Sequence, residues 1–312
     1  MSVGGGSAAA DLARPRGGLR FRRSWLTGYL FIAPLLAFFL LYHLYPIARA
    51  LWLSFTNFKY LAQANTRFVG LDNYAEALSD KYVWHGIVLA LEYLVMYVPL
   101  SLGLALVVAI VLDRVASRRA AGVYRTVYYL PVVLPSVVVY VLWKWMYQPS
   151  IGLVNYFLVD MFHLFTGRPT WLYGTEFALP SIAIMESWRF LGYNVLLLLV
   201  GLSAINRDLY EAARMDGASE LQVVRHITLP LLKPTFLVLM VLKMRIFSIL
   251  EPMLVAPGPS DSTWTWGWYA YNLAFVEGTL RMGYASAVGH VGALIMCVFV
   301  YFQYRLFRHE RA

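Results

Sequence analysis

The chain has 312 residues, of which 60% are hydrophobic and 14% charged, with a formal net charge of +9 and a mean hydropathy of +0.60. A soluble domain carries about 25% charge, so this composition excludes an ordinary soluble enzyme and points to a membrane protein. The basic residues sit at the ends of apolar runs rather than on one face, which excludes a nucleic-acid binder.

Taken in chain order, residues 1–24 are a basic arm rich in Gly, Ala and Arg, expected to be disordered on the cytoplasmic side. Residues 25–312 then form one transmembrane domain. A helix needs roughly 20 apolar residues to cross the hydrocarbon core. Six segments qualify: 26–53, 84–112, 123–147, 179–202, 233–256 and 283–307. The first contains Pro34 and Pro46, and the third Pro131 and Pro135, which spanning helices tolerate when neighbours satisfy the freed carbonyls. The first run is too long for a cleaved signal and is read as a retained span. The expected fold is therefore all-α and integral to the membrane, with six transmembrane helices.

Loop charges orient it. Sixteen Lys and Arg residues fall on the side holding both termini, and five on the other. The positive-inside rule places both termini in the cytoplasm, as an even number of spans requires.

The loop between the fourth and fifth spans, 203–232, is too organised for a plain connector. Asp208 is a candidate N-cap, and Leu209 to Met215 are strong helix formers. Gly217 suits the left-handed position that ends a helix. Ser219 stands three before Gln222, the spacing of a capping box. The expected structure is helix, glycine turn, second short helix, then the fifth span. Ala212 and Ala213 leave a small-residue face that another protein can approach, with Glu211, Arg214 and Asp216 around it for polar specificity.

The spacing Glu211-Ala212-Ala213, three residues, Gly217, nine residues, Ile227-Thr228-Leu229-Pro230 closely resembles the EAA loop of bacterial ATP-binding-cassette importer permeases. The resemblance continues through Pro34-Leu-Leu to Tyr45-Pro46, Leu51-Trp-Leu-Ser-Phe55, Phe68-Val-Gly-Leu-Asp-Asn-Tyr74 and Met282-Gly-Tyr-Ala-Ser-Ala287. These are marks of the carbohydrate-uptake branch of maltose- and glycerol-phosphate-type permeases. Membership implies the type I importer permease fold in the bacterial inner membrane. It implies that Glu211, Ala212, Ala213, Asp216 and Gly217 dock an ATPase. The implied partners are a second, homologous permease subunit, two ATPase subunits and an extracytoplasmic solute-binding protein. ATP and Mg belong to the ATPase chains. No P-loop is present here, because no Gly-Lys dipeptide occurs.

Charged groups inside spans cost roughly 2.5–3.5 kcal/mol each on insertion scales and usually face a cavity or a partner. Glu92, Glu186, Arg189, Lys243, Arg245 and Glu251 are of this kind. In maltose-type permeases the helix before the EAA loop supplies contacts to the sugar. The resemblance thus assigns Glu186, Trp188, Arg189, Tyr193 and Asn194 to the solute pathway, with Arg245 and Glu251 from the fifth span. The stretch Arg245 to Pro259 departs from the Asp-containing, Gly-Gly-Pro pattern of many relatives. The aromatic cluster Trp264, Trp266, Trp268, Tyr269 and Tyr271 reads as an interfacial belt. The single cysteine, Cys297, reads as a packing residue in the last run.

Two rival readings were weighed. An ion-coupled secondary transporter would need a site built from internal repeats, and no convincing repeat occurs. A membrane-embedded enzyme would need a metal or acid/base set in the spans, and the six histidines are scattered without ligand spacing.

Overall fold

The computed structural model describes residues 20–115, 118–244, 252–253 and 258–308. Arg245 and Glu251 lie outside these residues. The chain divides into two units, 1–52 and 53–312.

In the first unit, α1 (Arg20–Phe39) runs through a π turn at Leu40–Leu44 into α2 (Tyr45–Ser54). Gly28–Ser54 makes one continuous apolar rod of 27 residues, long enough to span. Pro34 lies within α1, and Pro46 lies two residues past the π turn, inside the continuous rod.

The second unit holds the remaining described elements. α3 (Asp72–Ser79) is a short amphipathic helix before α4 (Lys81–Asp113), whose 33 residues make the longest span. α5 (Arg118–Val133) and α6 (Ser136–Met146) form the third run, bent by 97° where Pro135 caps α6. A proline there removes the N–H that would continue α5 and pushes Leu134 out of helical geometry. α7 (Ala178–Arg189) and α8 (Leu191–Ser203) form the fourth, bent by 54° at Phe190. α9 (Arg207–Met215) and α10 (Glu220–Val223) follow, and α10 continues to Leu231 through a π turn at Val224–Thr228. A 66° bend then leads into α11 (Lys233–Met244). α12 (Trp266–Tyr271) and α13 (Met282–Arg308) complete the chain. Among the described residues three helices are long and apolar enough to span unbroken, or up to six runs if each bent pair is counted as one span. The fifth run is described at 233–244 and 252–253.

α4 is the central helix because it feeds all three apolar cores. Val83, Ile87 and Ala90 pack with Trp266, Tyr284 and Val288. Tyr93 and Tyr97 pack with Ile182, Met185 and Tyr147. Leu102, Ala105 and Ala109 pack with Leu191, Val195, Leu198 and Leu239. The faces of α4 that leave these cores, at Val95, Val107 and Val111, are apolar and exposed, as suits a helix that also meets lipid. In lipid, helices associate by close packing rather than by the hydrophobic effect, so small residues mark the contacts. At Gly192 a Cβ would lie 2.2 Å from the Tyr128 carbonyl oxygen, which fixes the α5–α8 approach.

The family-like segment after α2 is ordered by one buried side chain. Asn73 donates to the carbonyls of Ser54 and Thr56, both at 2.8 Å. Thr56 and Phe68 form a single antiparallel bridge beside it.

The aromatic cluster differs from the interfacial belt expected of it. The segment folds as a helix against α4 and α13 rather than as an open loop. Trp266 is buried in the core, and Trp264, Trp268, Tyr269 and Tyr271 are half-buried. Cys297 is exposed on α13 instead of packed.

Candidate functional site

The segment from Asn206 to Leu231 is a helix pair locked at every terminus. The first cap falls at Asn206 rather than Asp208: the Asn206 side chain accepts the Asp208 N–H at 3.1 Å, and α9 begins at Arg207. An Asn or Asp at this position satisfies one of the orphan N–H groups of the first turn. At the other end Ala218 N–H donates to Ala213 O at 2.9 Å and Gly217 N–H to Arg214 O at 3.1 Å. These two bonds are a Schellman motif, and they require a left-handed residue between them. Gly217 supplies it with φ +78°. Ser219 and Gln222 then close a reciprocal capping box, with Ser219 N–H donating to Gln222 Oε1 at 2.7 Å.

The pair is fastened on one side only. Ile205, Val223 and Thr228 are buried, and Tyr210 Oη lies 3.2 Å from Thr228 Oγ1. No residue of α9 is buried. Glu211, Ala212, Asp216 and Gly217 are exposed, and Ala213 is half-buried. Met215 is 88% and Leu221 78% exposed. Single exposed apolar residues mean little. Large apolar side chains flanking a small-residue face on a rigid, doubly capped bend form a surface suited to a partner's groove. A groove of about 400 Å³ lies in the crook of the bend, lined by Ala213, Gly217, Gln222 and His226 among others. A second, of about 730 Å³, separates the bend from the Asp113 end of α4.

The residues assigned to a solute pathway fall around the α7–α8 bend. Glu186 and Asn194 are buried, Arg189 and Tyr193 half-buried, and Trp188 is 38% exposed. Glu186 and Arg189 form the expected pair one turn apart, at 3.6 Å, and Arg189 also donates to Tyr140 Oη at 2.6 Å. Trp188 packs edge-on against Trp143. Asn194 donates to Ser101 Oγ at 2.9 Å, and the same hydroxyl receives Lys243 Nζ at 3.2 Å. Lys243 also donates to Tyr97 Oη at 2.6 Å. A polar seam therefore joins α4, α6, α7, α8 and α11 at the depth of the apolar cores. Tyr97, Ser101 and Tyr140 carry no charge, so nothing in the sequence singled them out. A hydroxyl is recognisable as part of a network only when its donor is seen beside it.

On the opposite end of α4, Asp80 caps the helix, accepting the Tyr82 N–H at 2.8 Å. Its other oxygen accepts Tyr269 Oη at 2.7 Å and Tyr284 Oη at 2.6 Å. Burial alone would raise the Asp80 carboxyl, but the Tyr284 and Tyr269 hydroxyls, the Tyr82 N–H and the Arg281 charge together hold it below its ordinary range. Arg281 makes a two-pronged pair with Glu76, at 2.8 and 2.6 Å.

Fold and site define a multi-pass helical membrane protein with one exposed, preformed helix bend between its fourth and fifth runs. Residues 101–310 match the family described as binding-protein-dependent transport system inner membrane component, and the chain belongs to that family. Among its relatives, a probable ABC transporter permease protein of Pyrococcus horikoshii is 33% identical, over 87% of this chain and 92% of its own. The trehalose/maltose transport system permease protein MalF of Thermococcus litoralis is 32% identical, over 94% of this chain and 97% of its own. A crystal structure of a bacterial ABC transporter involved in the import of the acidic polysaccharide alginate superposes with a TM-score of 0.75 at 25% identity, over 94% of this chain and 98% of the other. This is an ABC permease of the inner membrane, with the fold of the importers.

Proposed function

We propose that the chain is the membrane-spanning subunit of an ATP-driven importer for a sugar or a related polar solute. The observation that carries this is the helix bend at 207–231, rigid in its caps and exposed on its docking side, with Met215 and Leu221 presented outward. In this reading the termini are cytoplasmic and the bend faces the cytoplasm. An ATPase subunit receives it, through Glu211, Ala212, Ala213, Asp216 and Gly217. The chain itself is non-catalytic. ATP and Mg are held by two ATPase subunits, and a second permease chain completes the pathway. A solute-binding protein delivers the solute outside. Closure of the ATPases pushes the bend, and the spans rock between inward- and outward-open states. The pathway runs past Glu186, Trp188, Arg189, Tyr193 and Asn194, with Arg245 and Glu251 in the fifth run. The trehalose/maltose permease of Thermococcus litoralis and the alginate transporter support a saccharide as the cargo class.

Affinity purification of the tagged chain from native membranes in mild detergent tests this reading. The expected result is a complex that retains an ATP-hydrolysing chain and a second permease, and whose loss abolishes growth on a particular saccharide. A purified chain that retains no ATP-hydrolysing partner would refute the proposal.

A further inference from the structure

We infer that Glu220 is a positioning residue that fastens the docking bend to the cytoplasmic end of α4, making α4 the rod that carries the bend's displacement to the outer face. The inference rests on the proposed role of the bend and adds to it the route by which its motion leaves.

The first observation is the junction itself. Arg114 caps the C-terminal end of α4, and its guanidinium donates to Glu220 Oε2, 106 residues further along the chain. Arg214, on α9, reaches the other oxygen of the same carboxylate at 3.6 Å. Glu220 thus joins three elements: α4, α9 and the first turn of α10. The groove of about 730 Å³ lies at this junction, walled by Asp113, Arg114, Arg207, Tyr210, Glu211 and Thr228 among others. Beside that gap Tyr210 packs against the apolar cluster that holds Ala109 and Leu112, and across it the Glu220 charge link joins the bend to α4.

The second observation is the shape of α4. It runs 33 residues as one unbroken helix with Pro99 inside it, about 50 Å at 1.5 Å per residue, so it outreaches the hydrocarbon core at both ends. The runs around it are bent by 97°, 54° and 66°. A displacement applied to a bent run is absorbed at its bend. α4 holds Pro99 but no break of that kind, so a displacement applied to it has the more direct path to its far end.

The third observation is that the far end is also fastened. Asp80 ties the first turn of α4 to Tyr269 of α12 and Tyr284 of α13. α4 is therefore pinned to the docking bend at one end and to the last span at the other.

The test uses the assembled complex with its ATPase chains, and ATP with vanadate as the probe. Spin labels are placed at Leu78→Cys, beside the pinned end of α4, and at Ile151→Cys, on the loop after α6, which are 55% and 83% exposed, in a Cys297→Ser background. Vanadate trapping is expected to change the distance between these labels. Glu220→Gln and Arg114→Gln should each shrink that change by about two- to fivefold, the range set by exposed ion pairs, while ATP hydrolysis continues. The double variant should be no worse than either single one, because both remove one link. Arg214→Gln should give a smaller loss in the same direction. A full distance change in Glu220→Gln, or a double variant that compounds the two losses, overturns the inference and leaves the docking role standing. A wild-type complex with no vanadate-induced change refutes the docking role, and this inference with it.

Discussion

The position most exposed to a quantitative challenge is Gly217. Its φ of +78° is required by the Schellman bonds, and a Cβ built there would meet nothing within 4 Å. Any cost of substitution is therefore paid by the backbone alone, without steric confusion. An ordinary L-residue in this region costs about 1–2 kcal/mol, and Asn costs less. Proline fixes φ near −65° and removes the N–H that donates to Arg214 O, at a cost of about 3 kcal/mol or more. Since 1–2 kcal/mol shifts an equilibrium by about 5- to 30-fold, Gly217→Ala should lower the equilibrium constant for forming the docking-ready bend by that factor. Gly217→Asn should deplete it less, and Gly217→Pro should abolish it. The prediction is a rank order of Gly, Asn, Ala, Pro in retention of the ATPase chain on purification, at equal membrane insertion. Retention is read by quantitative co-purification, and insertion by immunoblot of the membrane fraction. Wild-type retention in Gly217→Pro would refute the reasoning. So would an order in which Asn is as damaging as Pro, because the argument then would not lie in the dihedral angle.

Two further predictions concern the scaffold. Gly192→Ala places a methyl 2.2 Å from Tyr128 O and 2.6 Å from Tyr129 Cα, so α5 and α8 must separate. Overpacking of this kind costs about 1–3 kcal/mol. It should lower the thermal midpoint in detergent, whereas Gly103→Ala, with nothing within 4 Å, should not. The Asp80 junction should be acid-labile. Its carboxyl is held below the ordinary value of 3.8 in the folded protein, so its contribution to stability is fully present above that value. It is lost as the pH falls through 3.8 toward the lowered value, because the unfolded chain then binds the proton first. Thermal midpoints measured from pH 6 down to pH 3 should fall less steeply in Asp80→Asn than in the wild type. Parallel curves would show that Asp80 does not carry the effect.

The sequence was most legible where a single local rule decides the outcome. Apolar run length located the spans, and the Ser219–Gln222 spacing and Gly217 located the turn and second cap of the bend. The first cap slipped from Asp208 to Asn206, because both are good N-caps and only the tertiary position of Ile205, buried just before, selects between them. The bends were half legible: Pro135 announces the 97° break, but nothing at Phe190 announces the 54° one. Among the charged residues, sequence could pair Glu186 with Arg189 across one helical turn. It could not pair Arg114 with Glu220, since no periodicity relates residues 106 apart. The aromatic cluster was misplaced for the same reason. Tryptophans near span ends suit an interface by composition, and only the packing against Val83, Ile87 and Tyr284 shows Trp266 to be core.

The distribution of rigidity argues for how force would travel. The bend at 207–231 spends its hydrogen-bonding groups internally, in two caps and a Schellman turn, and so keeps its shape without burying α9. A surface of that kind moves as a body when pushed. Behind it lie two routes into the membrane. One is covalent, through Leu231 into α11 across a 66° bend, where part of any push becomes a change of angle. The other is the charge link to α4, which is one unbroken helix from Lys81 to Asp113. The convergence of two arginines from different helices on that one carboxylate is the arrangement expected if α4 is the span being driven.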